Sequence, residues 1–295
     1  MFHGMQRFLE LFDSLGVEYE VLEGKAWVNY SGMVMPIGPA KFDYSVSDEE
    51  ARFLLSRFRQ AFAVRFSNGF TQREGPDGWF ALISRDFKEL SDLSKNSRKM
   101  VRRGFKNCHV ERLDARFVAD NGYDVFSSAI RRYKGVKRPE VTEPHFRQEV
   151  MATAGFDDIV HYWGALQDGH LIGLQMNYIF DKVEVFFALH RLHPDYLKCY
   201  PSHNLFYTMS ESYLRDDSFE YVNAGCRSLL HETHIQDFLM ETFRFEKASM
   251  GLRLSFRPYF ALLLAGGAPI KGLLGNVSPR VGAVYKLRDI GKRCA

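Results

Sequence analysis

Apolar and polar positions along the chain follow two rhythms, and the changes between them mark out its elements. Between His161 and His190 three runs, 162–166, 171–180 and 183–190, have the composition and bounded length of β-strands. They are joined by Gln167-Asp168-Gly169-His170 and by Asp181-Lys182, and Asp-Gly supplies the positive φ that a tight hairpin turn needs. Three successive antiparallel strands are therefore expected. A loop with His193, Pro194, Tyr200 and Pro201 follows, then a helical period over 202–215, a strand over 219–223, a helix over 235–243 and a last strand.

The first half repeats this grammar more faintly. The pattern predicts a helix over 5–15, strands over 18–22, 26–30 and 33–36, and a helix over about 48–61 capped by Ser45 or Ser47. Strands over 64–66 and 79–83 come next, and two helices over 118–133 and 145–154 lead into the meander. The tail opens as a strand at Leu252, Leu254 and Phe256 and continues as an apolar helix expected to close the core rather than lie on a membrane. The fold class is α/β (α+β), with two halves, 1–108 and 109–295, each a mixed, mostly antiparallel sheet flanked by helices.

Composition narrows the class. With 295 residues, 46 % apolar and 15 % aromatic, the chain can fill a substantial core. A net charge of +3 gives no global argument for nucleic acid. The four cysteines, Cys108, Cys199, Cys226 and Cys294, form no CxxC pair, so neither a zinc site nor a disulfide framework is expected. The N-terminal helix lacks the uninterrupted apolar run of a signal peptide, and no stretch reaches the ~18 apolar residues of a membrane span. These features predict a reduced, cytoplasmic protein without a transmembrane segment, and leave its oligomeric state open.

Charge is concentrated in one place. Lys95, Arg98, Lys99, Arg102, Arg103 and Lys106 recur at helical spacing and share one face. Leu93, Met100, Val101 and Phe105 fall on another, and Ser94 stands where an N-cap belongs. Two readings are open: a solvated basic face, or a docking surface for phosphates.

The run from Ser94 through Asn96, Arg98, Arg102 and Arg103 to Lys106, followed by the meander, resembles the Fem-like branch of the GNAT acyltransferases. Gly225-Cys226-Arg227-Ser228 and Gln236-Asp237-Phe238 also look like that family's segment after the fifth strand, so the resemblance spans roughly residues 75–250. It implies two GNAT-like halves and an enzyme that moves an acyl or aminoacyl group to an amine, from a coenzyme A thioester or a charged tRNA. The chain departs from the family in three ways. No glycine lies between His190 and Ser202, where the pyrophosphate loop of ordinary GNAT enzymes falls. No tyrosine stands at Met240, and no arm is inserted after Val118. These gaps favour an acyl-CoA type of co-substrate over tRNA, with no permanently bound cofactor and no metal.

Acyl transfer needs a base for the nucleophile, donors for the developing oxyanion and a clamp for the acyl donor. Simple strand parity puts Glu184, Phe186, Ala188 and His190 on one face, and Gln175 with Asn177 on a face of the neighbouring strand. Glu184 and His190 are the base candidates, although Glu184 also suits an exposed turn position. Lys198, Ser202, His203 and Asn204 start the next helix, where N–H groups lack helical partners and can hold a phosphate, while Ser202 also reads as a plain N-cap. Gln175, Asn177, Asn223, Arg227, Ser228 and Arg102 are candidates for binding substrate.

Other chemistries lack their signatures. His231-Glu232-Thr233-His234 is one residue short of HExxH, and the glycine-rich 266–275 lacks the Gly-Lys-Ser/Thr end of a phosphate loop. The sequence thus predicts an N-acyltransferase with a small-molecule acyl donor and an amine acceptor on a metabolite, amino sugar or peptide. The alternatives are a tRNA-dependent transferase acting on a peptide or lipid-linked acceptor, and a non-catalytic binding protein of the same fold.

Overall fold

The computed structural model describes residues 3–71, 78–131, 141–229, 234–268, 271 and 278–293. Five strands make the first sheet, in the order β1 (Tyr19–Leu22), β2 (Lys25–Tyr30), β3 (Met33–Ile37), β4 (Ala63–Phe66) and β12 (Arg253–Phe256). Seven make the second: β11 (Glu246–Met250), β5 (Trp79–Ser84), β10 (Tyr221–Cys226), β9 (Glu184–Leu192), β8 (His170–Phe180), β7 (Val160–Gln167) and β6 (His109–Leu113). Pairing is antiparallel except at β3/β4 and β9/β10. The sheets exchange strands: β5 lies between β10 and β11, and β12 returns to pair with β4. A cut at residue 108 therefore runs through both sheets, because long-range pairing, which local patterning does not encode, decides where β5 and β12 go.

Helices cover both faces of the larger sheet. On one face α3 (Lys95–Asn107), α7 (Pro201–Glu211) and α8 (Ile235–Phe243) bring Val101, Leu205, Phe206, Leu239 and Phe243 against Ile172, Ile179 and Val185. On the other, α1 (Met5–Leu15), α4 (Ala115–Asn121), α5 (Tyr123–Arg131) and α6 (Glu143–Met151) pack Phe8, Leu11, Val118, Val125 and Phe146 on Leu174 and Phe180. The caps follow side-chain chemistry. Ser94 accepts from the Ser97 N–H at the start of α3, and Ser47, not Ser45, forms a capping box with Glu50 on α2 (Asp48–Arg57).

Three expectations change. The helix expected over 118–133 is two, divided at Gly122. The helix expected over 202–215 ends in a π-helical turn, Ser212–Asp216. The apolar tail helix α9 (Pro258–Gly266) does not close the core: Leu264 is buried, but Tyr259, Leu262 and Leu263 are exposed. Leu287 and Ile290 of α10 (Pro279–Arg293) fill that role against Leu252. His231, Glu232 and Thr233 of the His-Glu-Thr-His run and much of the glycine-rich segment lie outside the described residues. Among the described residues no helix is long and apolar enough to cross a membrane.

Candidate active site

Two parallel strands at the middle of the larger sheet share only three rungs. β9 and β10 pair at Tyr221 with Glu184, Val222 with Val185 and Asn223 with Phe186. Beyond that β10 leans on β5, where Cys226 meets Ala81, while β9 continues to Leu192 along β8. Strands ~4.8 Å apart while paired must diverge once pairing ends, which opens a wedge between their C-terminal ends. The register between β8 and β9 also slips there: Asn177 faces Phe187 and Met176 faces Leu189, so Ala188 is left as a β-bulge. A bulge bends its strand and turns backbone groups out of the ladder.

The bulge overturns the parity expected from the sequence. Glu184 and Phe186 lie on the face shared with Tyr178 and Phe180, whereas His190, opposite Gln175, lies on the face of Phe187 under α7. Glu184 and His190 are not brought together. Six residues of strand separate them, roughly 20 Å at ~3.3 Å per residue. Nor is Glu184 an exposed turn residue, being only 1 % exposed. Its carboxylate accepts from Ala40 N at 2.6 Å, Tyr221 Oη at 2.6 Å and Asn223 Nδ2 at 2.9 Å. Burial raises its pKa, while those three donors pull the other way. Glu184 thus ties the 40–41 segment to the closed root of the wedge, and Asn223 belongs to that joint.

His190 stands at the open end. Its Nε2 lies 3.2 Å from Ser202 Oγ and its Nδ1 lies 2.9 Å from Gln175 Oε1. Gln175 Nε2 donates to Asn177 Oδ1 at 2.7 Å, and Asn177 Nδ2 donates to Tyr213 Oη at 3.1 Å. Trp163 Nε1 donates to the same hydroxyl at 2.6 Å, and His161 Nδ1 lies 3.0 Å from it. Gln175 and Asn177 are fully buried, so the sequence placed them rightly as polar groups needing partners on a central strand. Each satisfies the other, and they orient His190 rather than line open space. Burial, with the Arg191 charge adding to it, pushes the His190 pKa down to about 3, so its imidazole is neutral at physiological pH.

The start of α7 differs from expectation in detail. Tyr200 is its N-cap, in the left-handed region at φ 60° and ψ 40°. Such a conformation costs a bulky residue on the order of 1–3 kcal/mol. Arg103 holds the ring in place, donating to Tyr200 Oη at 2.9 Å with its guanidinium 5.6 Å above the ring. Tyr200 O accepts from both His203 N and Asn204 N, so two of the expected phosphate donors are already used. Asn204 is buried and donates to Cys108 O at 2.7 Å, closing the C-terminus of α3. Gly104 permits this contact, since a Cβ there would lie 3.0 Å from both Asn204 Cβ and Tyr200 O. Ser202 does not cap the helix; its hydroxyl is turned to His190. His203 packs edge-on to Phe238, and burial lowers its pKa to about 4. Lys198 is exposed on the preceding 3-10 turn, Pro194–Cys199.

The basic face of α3 borders this region. All six cations, Lys95, Arg98, Lys99, Arg102, Arg103 and Lys106, line one open concavity of about 660 Å³. Among the described residues none of the six forms an ion pair. Across the wedge, Arg227 donates to Gly78 O at 3.0 Å, and Ser228 follows it, exposed, beyond the end of β10. Sequence reasoning missed Tyr213, Trp163 and His161. Their only signal is that Tyr213 lies four residues after Met209, on the same inward side of the helix.

No protein-family model and no curated protein matches the chain. Among solved structures, the crystal structure of FemX matches with a TM-score of 0.56 and 12 % identity, over 88 % of this chain and 92 % of that one. A conserved protein of unknown function from Bacteroides thetaiotaomicron VPI-5482 matches with a TM-score of 0.50 and 10 % identity, over 84 % and 88 %. A GCN5-related N-acetyltransferase-like protein from Streptococcus suis 89/1591 matches with a TM-score of 0.42 and 13 % identity, over 86 % and 98 %. At 12 % identity the likeness to FemX is one of fold alone: two mixed, mostly antiparallel sheets flanked by helices.

Proposed function

We propose that the chain is an N-acyltransferase that receives an acyl thioester in the wedge between β9 and β10 and delivers the acyl group to an amine. The observation that carries this reading is the three-rung pairing of those parallel strands, which leaves an extended donor room between them with His190 beside it. Neutral His190 takes the proton that the acceptor amine must lose. The backbone N–H of Ala188, the residue the bulge takes out of register with β8, serves as a donor to the developing oxyanion. The anionic end of a coenzyme A-like donor runs towards Arg103, Arg102 and Lys99, where the cations of α3 lack carboxylate partners. The acceptor is an amine of a small metabolite, amino sugar or peptide.

The same unneutralised face favours one second reading, in which the acyl donor is an aminoacyl-tRNA. Thermal unfolding in the presence of coenzyme A, acetyl-CoA, a long-chain acyl-CoA, and charged or deacylated tRNA separates the two, because a ligand that binds only the native state raises the melting temperature. A shift with acyl-CoA is expected. A shift with tRNA alone transfers the proposal to the second reading, and no shift in a folded sample removes both. Arg102→Glu should leave the unliganded melting temperature within about 1 °C, since exposed substitutions cost within about 0.5 kcal/mol. It should cut the ligand-induced shift by at least half.

A further inference from the structure

We propose that Ser202 is a nucleophile that carries the acyl group as a covalent ester, activated by His190, with Gln175 as the positioning residue. The inference deepens the acyltransferase reading and rests on it for the identity of the donor, but the geometry is independent of that reading. Ser202, His190 and Gln175 form a continuous chain, Oγ to Nε2 at 3.2 Å and Nδ1 to Oε1 at 2.9 Å. A serine, a base in hydrogen-bond reach and a third group orienting that base is the arrangement required of an activated hydroxyl.

The directions of the hydrogen bonds in the chain are set from both ends: at the Gln175 end, Nε2 also donates to Met176 O at 3.3 Å, an oxygen that can only accept. Trp163 Nε1 can only donate, and it donates to Tyr213 Oη. Asn177 Nδ2 donates to the same oxygen, so the Tyr213 proton goes to His161 Nδ1. With its nitrogen committed, Asn177 presents Oδ1 to Gln175 Nε2, and Gln175 then presents Oε1 to His190 Nδ1. That nitrogen must carry the imidazole proton. Nε2 is left as a lone pair aimed at Ser202, whose hydroxyl proton points to it. The chain from Tyr213 to Gln175 is deeply buried, so no solvent competes to flip either amide. Ser202 is partly exposed and is free of the capping role that its position at a helix start would otherwise give it.

The chemistry balances. Ser202 Oγ attacks the thioester carbonyl carbon as its proton passes to His190 Nε2. The C–S bond breaks, the sulfur leaves with that proton as a free thiol, and the acyl group remains as an ester on Ser202. The acceptor amine then attacks the ester carbonyl and gives a proton to Nε2. His190 returns that proton to Oγ as the ester C–O bond breaks, which releases the amide and restores the serine. A glutamine cannot offset the imidazolium charge as a carboxylate would, so the activated serine is of modest reactivity.

The test uses a fluorophosphonate, which phosphonylates activated serines whatever the natural donor is, with intact-mass measurement and peptide mapping. One adduct on Ser202 is expected, absent from Ser202→Ala and formed at least ~100-fold more slowly by His190→Ala. Gln175→Leu should shift the pH dependence of labelling as well as its rate, because the tautomer is no longer fixed; unchanged melting temperatures confirm the folds. A folded wild-type protein that takes no label, or a Ser202→Ala variant that takes as much, overturns the proposal. Thiol release from acyl-CoA at the wild-type rate by Ser202→Ala also overturns it while leaving the acyltransferase reading intact. Labelled Ser202 with no thiol release from any acyl-CoA upholds the nucleophile and removes the thioester donor.

Discussion

Tyr213→Phe is expected to lower the free energy of unfolding by about 3–5 kcal/mol, although it removes a single oxygen atom from a fully buried side chain. That oxygen is the hub for Trp163 Nε1, Asn177 Nδ2 and His161 Nδ1. All three residues are buried, and Asn177 Nδ2 keeps only a long contact to Met209 Sδ, at 3.5 Å. Each stranded polar group costs about 1–3 kcal/mol, and the sum is a large share of the ~5–15 kcal/mol that holds a domain together. The ring itself is retained, along with its packing against Phe219 and Trp163, so no cavity contributes. Urea denaturation should show a lower midpoint at unchanged slope. A loss below about 1 kcal/mol would mean that the three groups do not depend on this one hydroxyl.

Acid should destabilise the protein well above the range where carboxylates titrate. Burial lowers the pKa values of His161 and His190 from 6.5 to about 3, and that of His203 to about 4. The unfolded chain takes up these protons near pH 6.5, whereas the folded chain does not until pH 3–4. Between those limits the unfolded state binds more protons, so the stability present above pH 6.5 falls as the pH is lowered. Each pKa unit is worth about 1.4 kcal/mol. With His190 and His203 discounted for partial exposure, the loss between pH 7 and pH 5 comes to roughly 3–5 kcal/mol. Glu184 acts in the opposite sense: its pKa is raised, so its contribution is fullest at low pH and declines as pH rises through the folded value. One carboxyl against three imidazoles leaves the net slope set by the histidines. Urea midpoints at pH 7 and pH 5 read this directly, and His161→Gln should flatten the difference.

Much of this architecture is written locally. Asp168 and Gly169 take positive φ, at 50° and 79°, and the three strands of the meander follow within two residues of their expected limits. Ser94 and the six cations at helical spacing specify α3 and its solvent face without help from the rest of the chain. The pairing of distant segments is another matter. Nothing within 79–84 says that this strand will sit between β10 and β11. The Ala188 bulge has no glycine to announce it, yet one extra residue there moved His190 to the opposite face from Glu184. Asn204 could be placed at the helix start from its sequence, but not its use as a cap for α3, because that depends on Gly104 letting two helices approach. The site is therefore legible as a neighbourhood, with His190 and Ser202 in it, while the division of labour among its polar residues comes from tertiary contact.

Chemistry at His190 is tested most directly by thiol release from acetyl-CoA and a long-chain acyl-CoA in the presence of a panel of primary amines, amino sugars and short peptides, compared between the wild-type chain and His190→Ala. Amine-dependent release is expected, falling by about 10²–10⁴ in the variant, with its melting temperature little changed. Amine-dependent release that His190→Ala retains in full would contradict the placement of the chemistry at the mouth of the β9/β10 wedge, and no release from any pair would contradict the thioester donor.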